Sequence, residues 1–426
     1  MMSSRRPGTV FADHTFAVPL DHDEPNGAQI EVYAREVRAG GQAAEGLPWL
    51  LFLNGGPGFA CLRPLGGEGW LDRALQDYRV LLLDQRGTGR STPLDRRSLP
   101  RIGSPAEQAA HLAHFRADSI VRDAELIRRR LIGDEPWSVL GQSFGGFCTV
   151  TYLSFAPEGL AEAFVTGGLP GLTAPADEVY QTLYPQVAAK NFEHYARHPE
   201  DVERAVRVAR HLSVNEVTLP TGRPFTVEVF QSLGNMLGHS TGSKELHYLL
   251  EDPFGGGDDL TDAFLFQVEA ELSWTAAAPL YSLVHEACYA QGEGATAWSA
   301  QRVRARFPEF DPAVAVDGDG PLLFTGEMIY PWMFETDPSL RPLRDAAHLL
   351  AERPSWPALY DVARLERNTV PVTAAVYYND MYVARELSMS TARTIKGART
   401  WVTSEYEHDG LRAHGDVVLD HLLSMP

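Results

Sequence analysis

The sequence predicts an α/β fold, a mostly parallel sheet flanked by helices with an inserted, mainly helical domain, and three observations carry that expectation. Short, continuously apolar runs alternate with helix-compatible stretches in the first part of the chain, the pattern of strands covered on both faces. From Gly171 to Arg364 helical periodicities and aromatic clusters replace those runs, over about 190 residues, far beyond an ordinary connection. Strand-like runs resume at Val370. The expected division is residues 1–170 as the first part of the sheet domain, 171–364 as the helical insertion and 365–426 as the second part of the sheet domain.

Composition bounds the rest. With 426 residues, 44% hydrophobic and 22% charged, the chain can bury a large core. No run approaches the ~18 to 20 apolar residues that span a bilayer, and Arg5 and Arg6 have no apolar stretch behind them. A soluble, unexported, cytoplasmic protein without a membrane partner is expected. Cys61, Cys148 and Cys288 have no Cys-x-x-Cys spacing, which fits a reducing compartment and argues against structural zinc. A formal charge of -19 argues against nucleic acid as a partner. No histidine pair has ligand spacing with a helical carboxylate and no phosphate loop is present, so neither a metal nor a cofactor is expected.

Along the chain, residues 15–20 and 29–37 read as strands around turn formers at 21–27, the second alternating apolar and polar like a half-solvated antiparallel strand. Residues 49–53 form a buried strand that runs into Asn54-Gly55-Gly56-Pro57-Gly58, where the backbone must come close to something. Another buried strand at 78–83 precedes Asp84-Gln85-Arg86-Gly87-Thr88-Gly89-Arg90-Ser91. This lacks the third glycine of a dinucleotide fingerprint and reads as a loop stabilised by Asp84 and Arg86. Asp118 or Ser119 is expected to cap a helix with apolar residues at Ile120, Val121, Ala124, Ile127 and Leu131.

That helix leads into Gly141-Gln142-Ser143-Phe144-Gly145, which has the form of a sharp strand-to-helix turn that lifts a serine hydroxyl out of the sheet. A side chain at Gly141 or Gly145 would collide where strand and helix approach. After a short strand at 163–166, helical patterns cover 177–198 and 199–212. Two stretches of the insertion, residues 281–289 and 324–332, set Glu286 and Glu327 among apolar and aromatic residues, where a carboxylate is expensive to bury without a cationic partner. Each glutamate could instead face solvent from its helix or pair with an arginine. Strands at 370–378 and 399–404 then end just before Asp380 and His408, on the sheet edge where Ser143 also emerges.

An alcohol is a poor nucleophile at neutral pH, so Ser143 needs a base, and His408 is the choice over His414 and His421 near the final helix. Asp380 would fix the imidazole tautomer, and the backbone N–H groups of Gly56 and Phe144 would hold the oxyanion. The chain order Ser, Asp, His is that of an α/β-hydrolase. These positions specify acyl transfer to water and leave the acyl group open.

The glycine loop at 54–58, the Asp-Gln-Arg-Gly segment at 84–91, the elbow at 141–146 and the placements of Asp380 and His408 together resemble the proline iminopeptidases, in their longer subgroup with an enlarged cap. One departure is Asn54, where many members have His before Gly-Gly-Pro-Gly. The resemblance implies a serine exopeptidase whose partner is a peptide with a free N-terminal proline. It implies cap glutamates that bind the amine, for which Glu286 and Glu327 are the candidates beside Glu228, Glu269 and Glu271. Tyr281, Tyr289 and Trp274 could wall the proline ring or belong to the cap core. An esterase or broader aminopeptidase, and a non-catalytic binding protein on the same fold, are the competing readings, and a homo-oligomer is left open.

Overall fold

The apolar runs pair as one sheet of nine strands in the computed structural model, which describes residues 3–6 and 8–425. The first five strands are β1 (Ser3–Arg6), β2 (Thr9–Pro19), β3 (Gln29–Ala39), β4 (Trp49–Leu53) and β5 (Arg79–Leu83). The remainder are β6 (Trp137–Gln142), β7 (Leu160–Thr166), β8 (Val372–Tyr377) and β9 (Ala398–Thr403). They lie in the order β1-β2-β3-β5-β4-β6-β7-β8-β9. β1, β2, β3 and β5 pair antiparallel. Every pairing from β5 across to β9 is parallel.

Alternation along β4 shows how the sheet is covered. Leu51 and Leu53 enter one core, while Leu50 and Phe52 enter the other, because successive side chains of a strand point to opposite faces. The helices α1 (Gly69–Ala74) and α6 (Gly415–Ser424) supply Leu71, Val418 and Leu419 to the second core. The first core receives α2 (Ala117–Ile132) and α3 (Phe144–Phe155), then continues without a break into the insertion through Tyr184, Phe230 and Phe324. Between β7 and β8 the named elements are helical apart from residues 292–293 paired with 355–356, and they begin with α4 (Ala176–Arg197). Within that stretch α5 (Pro279–Val284) packs against the glycine loop at Gly58.

Two local expectations are corrected. The first long strand starts at Thr9 rather than Thr15, since its whole length pairs with β3. Neither Asp118 nor Ser119 caps α2: the cap residue is Arg116, in extended conformation, and both expected caps already lie in the first turn. The buried Arg116 side chain reaches into the insertion instead. It donates to the carbonyls of Ala287, Ala290 and Pro357 and lies over the Trp356 ring at 4.6 Å. A polar side chain is thereby paired where burial would otherwise be costly.

The closest packing in the sheet layer lies at the strand-to-helix turn after β6. A β-carbon on Gly145 would collide with the Leu53 carbonyl, and one on Gly141 would collide with Gly145 O and Thr149 Oγ1. Because the Leu53 carbonyl is backbone, relief at Gly145 requires moving α3 off the sheet. Gly145→Ala is therefore expected to cost about 3 kcal/mol, the upper end for overpacking. A urea denaturation midpoint equal to that of the unaltered protein would refute it.

Candidate active site

Ser143 sits between β6 and α3 with φ 55° and ψ −124°, a conformation that a side chain adopts only under strain of order 1–3 kcal/mol. Neighbouring backbone over-determines it. Its N–H donates to Thr166 O at 3.0 Å, and its carbonyl accepts from Gly146 N–H at 2.7 Å. A β-carbon on Gly168 would strike the Ser143 carbonyl, and one on Gly55 would come within 3.0 Å of Ser143 Cβ. The glycine loop thus runs beside the serine, with Gly56 at φ 141°. Phe144 follows as the first residue of α3, where helix N–H groups have no partner within the helix. Of the two expected oxyanion donors, Phe144 directly follows the serine, and Gly56 follows Gly55, which packs against it.

The segment after β5 braces that glycine loop. Gln85 Nε2 donates to Asn54 O at 3.0 Å, and buried Asp84 accepts from Cys61 N–H at 3.1 Å, Arg90 N–H at 2.9 Å and Arg63. Arg86 spends five N–H bonds on Asp123 and on the carbonyls of Leu20, Pro19 and His114. Asn54 directs its own amide to Gly55 O at 3.1 Å and Ala60 O at 3.4 Å, so its side chain stabilises the loop that carries it.

Beyond β8 and β9, Asp380 and His408 are brought together, both buried. His408 Nδ1 lies 2.7 Å from Asp380 Oδ2, while Asp380 Oδ1 accepts from the N–H groups of Tyr382 and Val383 at 2.8 and 3.0 Å. A carboxylate only accepts, so Nδ1 carries the proton and the neutral ring offers its Nε2 lone pair. Burial alone would depress the pKa of His408. The charge and hydrogen bond of Asp380, with Glu327 behind them, overcome it and leave the pKa raised. The Gly167-Gly168 turn separates histidine and serine: a β-carbon on Gly167 would lie 3.2 Å from His408 Nδ1.

Glu327 and Glu286 have different surroundings. Glu327 accepts from Tyr281 Oη at 2.6 Å, and burial pushes its pKa up to about 7 against that hydrogen bond and the charge of His408. It belongs to the same electrostatic cluster as the histidine. Glu286 accepts from Ser299 N–H at 3.1 Å and Ala300 N–H at 2.8 Å, at the start of the helix Ser299–Arg304. Burial raises it to about 7 as well, whereas the carboxylates that act most strongly on His408 are Asp380, Glu327 and Asp409. Among the described residues neither glutamate has an ion-pair partner, and both respond by holding a proton more tightly.

The Tyr281 ring lies tilted to Phe59 at 5.1 Å and to His285 at 4.9 Å and edge-on to Trp274 at 5.1 Å. A β-carbon on Gly58 would strike its backbone nitrogen, so α5 rests directly on the glycine loop. Tyr289 stands off among Phe147, Tyr180 and His285 at 5.7 to 6.0 Å.

Sequence reasoning missed the residues that hold the histidine loop to the insertion. Lys190 Nζ donates to both oxygens of Glu407 at 2.6 and 2.7 Å, and His408 N–H donates to Gly238 O at 3.3 Å. Ser240 donates to both oxygens of Asp409 at 3.0 and 2.9 Å. Acidic residues on either side of His408 were the available signal. Tyr382, standing edge-on to the imidazole at 4.8 Å, had none. Apart from this site, His198, Glu200 and His247 bring one potential ligand atom each within 4.8 Å of one another. Spacing did not predict that grouping, since His247 comes from a separate helix.

A hydroxyl on a strained turn, an imidazole oriented by a carboxylate and backbone donors beside them are suited to acyl transfer. Comparison with known proteins agrees with this chemistry. Residues 48–223 match the alpha/beta hydrolase fold family. A proline iminopeptidase of Aeromonas sobria is 49% identical over 97% of this chain and 95% of its own length. The proline iminopeptidase aneH of Aspergillus aculeatus is 37% identical over 96% and 92%. Among solved structures, esterase E22 shares the fold with a TM-score of 0.50 at 10% identity, covering 97% of this chain and 98% of its own. On the identity to the two full-length relatives, this chain belongs to the proline iminopeptidase family, built on the α/β-hydrolase fold.

Proposed function

We propose that this protein is a serine aminopeptidase that releases N-terminal proline from peptides, with residues 171–364 acting as the cap over its site. The observation that carries the reading is the placement of a half-buried glutamate, Glu327, in one electrostatic cluster with the His408–Asp380 pair. An acyl-transfer centre has no use for that negative charge unless the substrate brings a positive one. The protonated prolyl amine supplies it, and a blocked N-terminus does not. Membership of the family supports the same substrate.

In this mechanism Ser143 Oγ attacks the prolyl carbonyl as its proton passes to His408 Nε2, and the N–H groups of Gly56 and Phe144 receive the oxyanion. His408 returns the proton to the leaving nitrogen as the C–N bond breaks. Water, deprotonated by the same histidine, then cleaves the prolyl ester on Ser143 and frees proline. Tyr281 orients the Glu327 carboxylate. Tyr289 and Glu286 support the cap beneath the site, Glu286 by holding the start of a helix.

Hydrolysis of 2-naphthylamides of proline, alanine and N-acetyl-proline tests the reading. The free prolyl compound is expected to be cleaved selectively, with loss of at least about 10³-fold in kcat for Ser143→Ala. Equal cleavage of the N-acetyl compound would overturn amine recognition and favour an esterase. Glu327→Gln is expected to raise KM for the free prolyl compound about 10- to 100-fold, as loss of a charged hydrogen bond does, whereas Glu286→Gln leaves KM within about threefold.

The acid limb of kcat/KM has a definite form on this reading. Glu327 must be ionised to hold the amine and His408 must be neutral to act as base, so activity rises as pH increases through about 7. Two deprotonations make the limb steep. Glu327→Gln removes one of them and also moves the His408 step to lower pH, because a negative charge that raises it is gone. An unchanged slope and midpoint in the variant would refute the assignment.

A further inference from the structure

A cavity of about 430 Å³ opens from His408, Asn54 and Gln142 and runs outward between the segment 61–71 and the turn 408–412. Its lining includes His408 and Gln142, the residue before the serine, but none of Ser143, Tyr281 and Glu327, so it approaches the reacting centre from the histidine side and not through the amine-binding end. A scissile amide crosses the serine with proline on one side and the leaving nitrogen on the other. Since His408 must reach that nitrogen to protonate it, the leaving peptide starts against His408, which is where this cavity begins.

Its inner wall is apolar, with Phe52, Trp70 and Leu411, and at the rim Leu62 and Leu65 are 70% and 84% exposed. The charges around it are almost all spent within the protein. Arg63 is committed to Asp84, Asp409 accepts from Ser240, and Glu68 accepts from the N–H groups of Leu65 and Gly66. Arg412 is exposed, and among the described residues its guanidinium has no carboxylate partner. A cavity of this volume takes about one or two residues of peptide.

We infer that this cavity is the binding site for the leaving peptide, taking an apolar second residue against its inner wall and the free C-terminal carboxylate of a short peptide at Arg412. The inference rests on the aminopeptidase reading above and names its substrate class: short prolyl peptides with an apolar second residue and a free carboxyl end. A guanidinium suits such a terminus because its planar donors match the two oxygens of a carboxylate.

The test compares kcat/KM for Pro-Leu, Pro-Leu-amide, Pro-Gly and proline 2-naphthylamide, for the unaltered protein and for Arg412→Gln and Leu62→Ser/Leu65→Ser. Pro-Leu is expected to exceed Pro-Leu-amide about tenfold, and Arg412→Gln to bring that ratio close to one. The double leucine variant is expected to narrow the preference for Pro-Leu over Pro-Gly about threefold. A ratio of Pro-Leu to its amide that is near one in the unaltered protein, or unchanged by Arg412→Gln, would overturn the inference while proline 2-naphthylamide is still cleaved. Failure to cleave the naphthylamide as well would overturn the aminopeptidase reading and this inference with it.

Discussion

Crowding of backbone around Ser143 is the constraint on which the rest of this structure depends. A serine at φ 55° is held only because Thr166, Gly55 and Gly168 leave its backbone no other place to go. That crowding requires the β4 end, the start of α3 and the turn after β7 to meet without side chains between them. The glycines at 55, 141, 145 and 168 are the sequence's answer to a steric demand. The segment after β5 extends the same logic outward, because Gln85 and Asp84 hold both ends of the glycine loop that passes the serine.

Charge provides the second organising principle. Asp380, His408 and Glu327 put two carboxyl groups around one imidazole in surroundings largely withdrawn from water. There each charge is strengthened by its neighbours and penalised by burial, so the pKa of Glu327 moves up to about 7 and that of His408 is raised rather than depressed. A cation arriving beside Glu327 relieves the excess negative charge. On the proposed reading, substrate binding and the tuning of the base are parts of one electrostatic balance.

The helical insertion is tied directly to the loop that carries the histidine. Three consecutive residues of the histidine loop are each tied to it, Glu407 by Lys190, His408 by Gly238 and Asp409 by Ser240. Arg116 makes a reciprocal tie from the sheet domain into the insertion. With a continuous apolar core beneath these bonds, the position of the histidine depends on elements separated from it by some two hundred residues of chain, a span where packing rather than local preference decides geometry.

The sequence by itself determined the sheet, the elbow and the order of Ser143, Asp380 and His408. Those features are written in short-range terms: apolar runs of strand length, small residues where backbones touch, and functional side chains just past strand ends. The start of α2 was misread for a related reason, because Arg116 is drawn out of the helix by carbonyls of the distant insertion, which local capping preferences do not register. Only the tertiary structure decided which of two similar glutamates of the insertion lies in the field of the histidine. Glu286 and Glu327 are alike in their neighbours along the chain, although Glu286 is buried and Glu327 half-buried. One meets two backbone N–H groups at a helix start and the other meets Tyr281 and the field of His408. The work that a buried carboxylate can do is set by the partners that folding brings to it across long stretches of chain, and those partners cannot be read from the residues beside it.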